Sequence, residues 1–224
     1  MAHREPLSRE KILDAALALA GEEGLDGLSM RKLAKSLGVE AMSLYNHVAN
    51  KADILDGLAE RAFAEVDCPD PALPWPDRVR AIASSMHRAL SRHPVVPLAL
   101  VTDQANPTSV TALRPLDALV GALFEAGFSD ADARRMLTAV NSLIFGSLLL
   151  STAGFTVEDF RAQTGEQQLD VFVRHLDPAR LPHFSRLIQS MPDTDPETDF
   201  DRALDALISG LIATAPGSPP ESPE

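Results

Sequence analysis

The chain has 224 residues, of which 45% are hydrophobic and 23% are charged, as in an ordinary globular protein. Its single cysteine, Cys68, excludes an intramolecular disulfide, and its longest apolar run, residues 143–150, is too short to span a membrane. Because Ala and Leu are abundant and no stretch alternates as a strand would, we expect an all-α fold. The polar N-terminus is unlike a signal peptide, so we expect a soluble, cytoplasmic protein.

The net charge of −12 is distributed unevenly along the chain. Residues 1–51 carry seven Lys or Arg and seven Asp or Glu, whereas the remaining residues carry thirteen and twenty-five. The acidic excess therefore belongs to the C-terminal part, and the N-terminal part keeps a basic cluster of Arg31, Lys32 and Lys35. Since salt screens charges beyond about 10 Å, such a cluster can still bind a polyanion locally.

The N-terminal part predicts four helices, and Ser8, Ser29 and the pair Asn50 and Asp53 can cap three of their starts. Approximate ranges are residues 8–23, 29–37, 41–47 and 50–66. Residues 68–76 contain four prolines, which cannot lie in the interior of a helix. This segment therefore marks the boundary between an N-terminal and a C-terminal domain.

The C-terminal part predicts further helices at about residues 77–93, 95–102, 108–126, 130–152 and 200–212. Pro115 predicts a kink or an earlier break in the third of these. Residues 153–166 and 190–199 are typical of mobile loops, with a weaker helical stretch between them. The last nine residues are rich in Pro and Ser and predict a disordered tail.

The segment from Leu28 to Lys51, LSMRKLAKSLGVEAMSLYNHVANK, predicts two helices joined by a tight turn. Ala34 is small enough for a close helix crossing, and Gly38 can adopt the left-handed backbone that ends a helix. Leu44 then supplies an apolar plug from the second helix. This spacing is typical of a helix-turn-helix, although an ordinary helical hairpin has a similar pattern.

The outward face of the second helix in this segment contains no acidic side chain. Its residues are short, hydroxylated, aromatic or basic, a composition that suits contact with phosphates and base edges. They are Ala41, Met42, Ser43, Tyr45, Asn46 and His47, with Lys51 just beyond the helix.

The run Leu44-Tyr45-Asn46-His47-Val48-Ala49-Asn50-Lys51, with the helices before it, resembles the tetracycline-repressor (TetR) family of bacterial transcription regulators. Residues 126–129, 137–146 and 200–211 carry a weaker likeness to the C-terminal domain of the tetracycline repressors. The resemblance implies a helix-turn-helix DNA-binding domain at residues 1–67. It also implies a helical effector-binding and dimerisation domain at residues 75–215, and we expect a tail at residues 216–224.

The same resemblance assigns roles in DNA binding. It implies that Arg31, Ala41 and Met42 contact bases, while phosphates are held by Ser29, Ser43, Tyr45, His47 and Lys51. Because Ala41 and Met42 cannot donate hydrogen bonds from their side chains, we expect them to contact thymine methyl groups. The expected partner is a palindromic double-stranded DNA operator, read by a homodimer.

The resemblance further implies a pocket for a small-molecule effector between the C-terminal helices. The predicted wall residues are Met86, His87, Leu90, Leu98, Leu119, Leu123, Asn141, Ile144 and Phe145, for each of which a place in the ordinary core is the alternative. Thr102 and Leu150 stand where metal-binding His and Glu would be expected. We therefore predict an apolar, largely uncharged effector, and neither a metal nor a cofactor.

A dimer interface is predicted on the faces of residues 139–151 and 200–212. The residues assigned to it are Gly146, Leu149, Leu204, Leu207, Ile208 and Leu211. Glycine at position 146 would permit two helices to approach closely.

The sequence therefore predicts a transcriptional repressor that an effector releases from DNA. An enzyme is disfavoured, because His87 and His93 do not share a helical face and no nucleophile motif accompanies them. A helical dimer that acts through protein partners, with a non-functional DNA-binding domain, would suit the overall acidity. The polar face of residues 41–51 argues against that alternative.

Overall fold

The computed structural model describes residues 6–152, 177–189 and 196–216. All regular elements within these residues are helices, which confirms the all-α prediction for this part of the chain. They are α1 (Arg9–Gly27), α2 (Met30–Leu37), α3 (Ala41–Leu44), α4 (Lys51–Ala64), α5 (Trp75–Ser91), α6 (Val95–Val101), α7 (Val110–Glu125), α8 (Asp130–Thr152), α9 (Pro182–Gln189) and α10 (Pro196–Thr214).

Helices α1 to α4 form the N-terminal bundle. α1 packs against α2 and α4, and α2 packs against α3. Leu44 of α3 is fully buried, as a plug between the two helices of a helix-turn-helix should be. Two sets of ion pairs tie α1 to α4: Arg9 to Asp53 at 2.8 Å, and Arg61 to Glu10 and Asp14.

The turn between α2 and α3 has the geometry that its sequence predicts. Gly38 adopts the left-handed conformation, with φ 63° and ψ 37°, and its N–H donates to the carbonyls of Ala34 and Lys35. At the other end of α2, the Ser29 hydroxyl accepts a hydrogen bond from the amide of Lys32 at 3.3 Å. Both ends of α2 are therefore capped, and the helix cannot extend into the turn.

Replacing Gly38 by alanine is expected to destabilise the protein, because a side chain in the left-handed region costs roughly 1–2 kcal/mol. Gly21→Ala is the matched control, since a Cβ built at this helical glycine meets no atom within 4 Å. That change should instead stabilise the protein by about 0.5–1 kcal/mol. Urea denaturation of both variants measures the difference, and equal effects would contradict the role of Gly38.

Two predicted boundaries are wrong, and the break that was one predicted effect of Pro115 does not occur. α3 ends at Leu44 rather than near residue 47, because the amides of His47 and Val48 both bond to the Leu44 carbonyl in a turn. α7 runs through the buried Pro115 without a break, which leaves a kink as the other predicted effect. α10 already begins at Pro196, so residues 196–199 are helical rather than part of a loop.

The other predicted loop, at residues 153–166, lies outside the described residues, as do residues 190–195 and nearly all of the predicted tail. Regular helical backbone in α1 is interrupted at Gly24, which has φ 72° and ψ 178°. This agrees with the helix end predicted near Glu23. The remaining residues of α1 form a short turn that leads into α2.

The C-terminal helices surround the rest of the hydrophobic core, which is continuous with the core of the N-terminal bundle. α5 packs against α7, α8 and α10, while α8 also contacts α6, α7 and α10. The edge of Trp75 meets the ring of Phe128 at the end of this bundle, with centroids 6.0 Å apart. In the described residues no helix is both long and apolar enough to cross a lipid bilayer.

α4 connects the two bundles. It packs against α5, α6 and α7, and α6 also packs against α1. The Glu65 carboxylate, just after α4, accepts hydrogen bonds from Arg92 and His93 at 2.6–2.9 Å. Halfway along α4, Asp56 accepts a bond from the amide of Asn106 at 2.6 Å. α4 and the residue after it are therefore bonded to the C-terminal part at two places.

Candidate nucleic-acid interface

α3 presents one continuous exposed surface, formed by the side chains that the sequence assigned to DNA. Leu44 and Val48, 0% and 2% exposed, anchor the helix and the following turn in the core. The opposite side is therefore turned outward: Met42 is 73% and Tyr45 47% exposed. Ala41, Asn46 and His47 are also exposed, and Ser43 is half-buried.

α2 adds exposed polar and basic side chains next to this surface. Arg31 and Lys35 are both exposed, and so is Ser29 at the start of the helix. The hydroxyl of Ser29 caps the helix as an acceptor, which leaves its own proton for another partner such as a phosphate oxygen. Ser29, Arg31 and Lys35 are thus exposed on the helix that packs against α3.

Two of the lysines near this surface are engaged within the protein, which the sequence did not reveal. Lys32 forms an ion pair with Glu23 at the end of α1. The ammonium group of Lys51 donates to the Leu25 carbonyl at 2.7 Å. Two N–H groups of Lys51 are left over from that bond, so its predicted phosphate contact stays a prediction.

The Glu23→Gln variant should bind DNA more tightly, because the Lys32 ammonium loses its internal partner. One additional phosphate contact steepens the dependence of log K on log salt by about 0.9, or roughly twice that in a dimer. Glu22→Gln removes the same charge one residue away and should have the smaller effect. Fluorescence anisotropy with a random DNA duplex at several salt concentrations compares the two variants. If both give the same slope of log K against log salt, the ion pair does not keep Lys32 from binding phosphate.

The turn that follows α3 is held in place by Asp53. Its carboxylate accepts bonds from the amide of Ala49 at 2.7 Å and from Arg9 of α1 at 2.8 Å. The hydrogen bond from Arg9 is the main reason why the pKa of Asp53 is lowered. Asn50 in turn accepts from the Asp53 amide, as the capping pattern predicts. Arg9 and Asp53 therefore position the exposed surface of α3 against α1, a role that local sequence patterns do not show.

Most of the residues predicted to line an effector pocket lie in the C-terminal core. Met86, Leu90, Leu119, Leu123 and Ile144 are at most 1% exposed. Phe145 is half-buried and packs against the same core. Leu98 differs from them, because 38% of it is exposed on the short helix α6. It is therefore not a buried wall residue among the described helices.

The two polar residues of the predicted pocket differ in their hydrogen bonding. His87 is 6% exposed, its Nε2 lies 3.2 Å from the Ser147 hydroxyl, and its ring stacks on Phe200 at 3.9 Å. It thus has its partners inside the protein, between α5, α8 and α10. By contrast, the side-chain oxygen of Asn141 is buried and has no hydrogen-bond partner among the described residues. Asn141 is the better candidate for contact with a ligand.

Stability should fall as the pH drops below about 6.5, in part because of His87. Burial lowers the pKa of this imidazole from its ordinary value of 6.5, an effect that the nearby carboxylates of Glu197 and Asp201 oppose. The unfolded chain therefore takes up the proton first, and protonation favours unfolding. Denaturation of the wild type and of His87→Phe at pH 7.5 and 5.5 tests this. The variant should lose less stability between the two pH values, and an equal or larger loss would exclude His87 as the cause.

Three of the residues assigned to a dimer interface are buried within one protomer. Leu204, Ile208 and Leu211 are 0%, 1% and 3% exposed on α10, the helix that packs against α5 and α8, and they therefore offer little surface to a partner. Leu207, Leu149 and Gly146 are half-buried and remain predictions. The amphipathic pattern of α10 identified a buried side, but it could not distinguish the protomer's own core from a partner.

A different face of α10 is open. Its exposed side carries the small residues Ala203, Ala206, Gly210 and Ala213. A Cβ built at Gly210, or at Gly146 of α8, meets no atom within 4 Å. Both glycines therefore leave room for another helix to approach.

Comparisons with known proteins agree with this architecture. Residues 12–58 match the model for bacterial regulatory proteins of the tetR family, and residues 68–215 match the tetracyclin repressor-like C-terminal domain. The chain is 37% identical over 150 residues to the class D tetracycline repressor protein of Escherichia coli, covering 64% of this chain and 66% of that protein. It is 38% identical over 144 residues to an HTH-type transcriptional regulator of Saccharopolyspora erythraea, covering 63% of this chain and 60% of the relative. The matches thus span somewhat less than two thirds of these two relatives.

Solved structures extend the likeness to nearly the whole chain. A possible TetR family transcriptional regulator of Streptomyces coelicolor superposes with a TM-score of 0.74 at 31% identity, over 92% of this chain and 99% of that one. The TetR family protein ActR of the same organism, solved in complex with actinorhodin, superposes with a TM-score of 0.73 at 25% identity, over 94% and 99%. On these matches and on its helix-turn-helix, the chain belongs to the tetR family of bacterial regulatory proteins.

Proposed function

We propose that this protein is a sequence-specific DNA-binding transcriptional regulator, a repressor that leaves its operator when a small molecule binds. The observation that carries the proposal is the exposed surface of α3, with Met42 73% and Tyr45 47% exposed on a helix anchored by the buried Leu44. A helix presented in this way fits the major groove of B-DNA, where base pairs can be distinguished. The protein would act in the bacterial cytoplasm.

The proposed contacts divide into two kinds. Arg31 can form two hydrogen bonds to a guanine, and Ala41 and Met42 can contact thymine methyl groups. Ser29, Ser43, Tyr45, His47 and Lys51 would hold phosphates and fix the register of the protein on the duplex. Exposed Lys35 adds a charge that attracts DNA of any sequence.

A homodimer would present two such surfaces to a palindromic operator. The open, small-residue face of α10 and Gly146 of α8 support an interface in which helices of two protomers pack closely. Half-buried Leu149 and Leu207 would lie at its edges. Residues that pair α10 with α5, such as Ser84 with Asp201 at 2.8 Å, would hold this face in position.

The effector is proposed to bind between α5, α6, α7 and α8. Its chemistry would be mainly apolar, since the side chains there are Met, Leu, Ile and Phe, and it would carry a hydrogen-bond donor for the unpartnered oxygen of Asn141. ActR, solved with actinorhodin, supports ligand responsiveness.

Among the described residues no group of three or more His, Cys, Asp or Glu could hold a metal ion. The proposal contains no metal-chelated effector, because Thr102 and Leu150 stand at the positions where the resemblance would place metal-binding His and Glu.

Selection of DNA by the purified protein from a random duplex library tests the proposal. We expect enrichment of a palindromic sequence, termed the selected duplex below. Its half-sites should be centred about 34–36 Å apart, or a multiple of that distance. A library that shows no enriched sequence would contradict the proposal. It would favour instead a helical dimer that acts through protein partners.

A further inference from the structure

Met42 is the methionine that solvent reaches most easily in the described part of the chain. It is the second residue of α3 and is 73% exposed. Met86 is 1% exposed in the core between the C-terminal helices. Met30 on α2 and Met136 on α8 are half-buried. A small oxidant dissolved in water should therefore react with the Met42 thioether before the other three.

The relevant reaction is oxygen transfer from a two-electron oxidant such as hypochlorous acid. In the net reaction an S–O bond forms at the thioether and the O–Cl bond breaks. Sulfur is oxidised by two electrons, chlorine leaves as chloride, and the hydroxyl proton passes to water. The product is a sulfoxide, which is polar and accepts hydrogen bonds but donates none, and methionine sulfoxide reductases can reverse the change.

The position of Met42 determines what this change would do. Its neighbour on the exposed surface is Ala41, which is also apolar, so this part of the surface suits thymine methyl groups rather than hydrogen-bonding partners. A sulfoxide there would have to lose its water against methyl groups, a cost that the thioether does not have. In a dimer, both half-sites would be affected.

We propose that Met42 is an oxidation site through which oxygen-transferring oxidants weaken the binding of this protein to its operator. The inference rests on the proposed function, because it places Met42 against DNA. It adds a chemical signal that acts at the DNA surface itself, independently of a ligand in the C-terminal domain.

The first test is the order of oxidation. Purified full-length protein is treated with increasing hypochlorite, and peptide mass spectrometry follows sulfoxide formation at each methionine. Met42 should be oxidised before Met30, Met86 and Met136, and the selected duplex should slow its oxidation but not theirs. Oxidation of Met42 no faster than that of Met30 and Met136, or without protection by DNA, would overturn the proposal.

The second test is the effect on affinity, with Met42→Leu as the variant that keeps an apolar side chain but cannot be oxidised. Oxidised wild type should bind the selected duplex roughly tenfold more weakly or worse, since disturbing the match at one base pair has an effect of about that size. The reductase should restore binding, and Met42→Leu should be insensitive to the oxidant. All proteins carry Cys68→Ser, so that the thiol does not contribute.

An equal loss of affinity in Met42→Leu would place the damage elsewhere and overturn the inference. Failure of the proposed function would have a different sign: the unoxidised protein would select no duplex at all. The redox proposal would then fall too, even if Met42 were the first methionine to be oxidised.

Discussion

Replacing Gly210 by leucine should convert the dimer into monomers and lower its affinity for the selected duplex by at least about a thousandfold, to the level of non-specific binding. A Cβ at this position meets no atom of its own protomer within 4 Å, so the protomer core has no reason to change. A second protomer whose helix packs closely against this face would meet the new side chain directly. One monomer then holds only one recognition surface, and half of the contacts with DNA are lost.

Analytical ultracentrifugation and anisotropy titration of the same preparations measure both effects. Gly121→Leu serves as the control, because a Cβ at Gly121 of α7 also meets no atom within 4 Å, although this residue lies outside the proposed interface. It should remain dimeric and bind normally. A Gly210→Leu protein that stays dimeric and binds with unchanged affinity would place the interface on another surface.

Replacing Arg31 by alanine should remove discrimination at one symmetric pair of base positions. A bidentate contact between arginine and guanine contributes about 1–3 kcal/mol of discrimination, and the dimer has two such contacts. Arg31 is exposed next to α3, and no ion pair occupies its guanidinium among the described contacts. The loss should therefore appear in the choice of base rather than in the stability of the fold.

Affinities for the selected duplex and for its variants at every position of one half-site measure this effect. Lys35→Ala is the matched control, since Lys35 is equally exposed on α2 but is proposed to contact phosphate only. It should weaken all duplexes to the same extent and reduce the salt slope. If Arg31→Ala also weakens every duplex equally, Arg31 contacts phosphate and another residue reads the base.

The features that were predictable from the sequence are those with a local cause. Ser29 and Gly38 cap α2 with groups only a few residues away, and the small residue Ala34 and the plug Leu44 define the helix-turn-helix. The exposed surface of α3 follows from the same pattern, because the residues opposite a buried Leu44 must face outward.

The features that were missed depend on contacts between distant segments. The ion pair of Lys32 with Glu23 joins two helices, so the basic cluster contributes one free charge fewer than its sequence indicates. The bond from Lys51 to the Leu25 carbonyl also joins distant segments, although it leaves the charge of Lys51 in place. His87 was predicted as a pocket residue with the ordinary core as the alternative, and its partners are Ser147 on α8 and Phe200 on α10, far away in the sequence. Likewise, Leu204, Ile208 and Leu211 have the periodicity of an interface, but they fill the core of one protomer.

The measurement that tests sequence-specific recognition most directly is the ratio of two dissociation constants at physiological salt. One is for the selected duplex, and the other is for a duplex of the same length and composition with a scrambled sequence. Specific protein–DNA complexes are typically about 10³–10⁷ times tighter than non-specific ones, and we expect a ratio within this range for the wild type. A ratio close to one would mean that α3 does not read bases and that the protein holds DNA by charge alone.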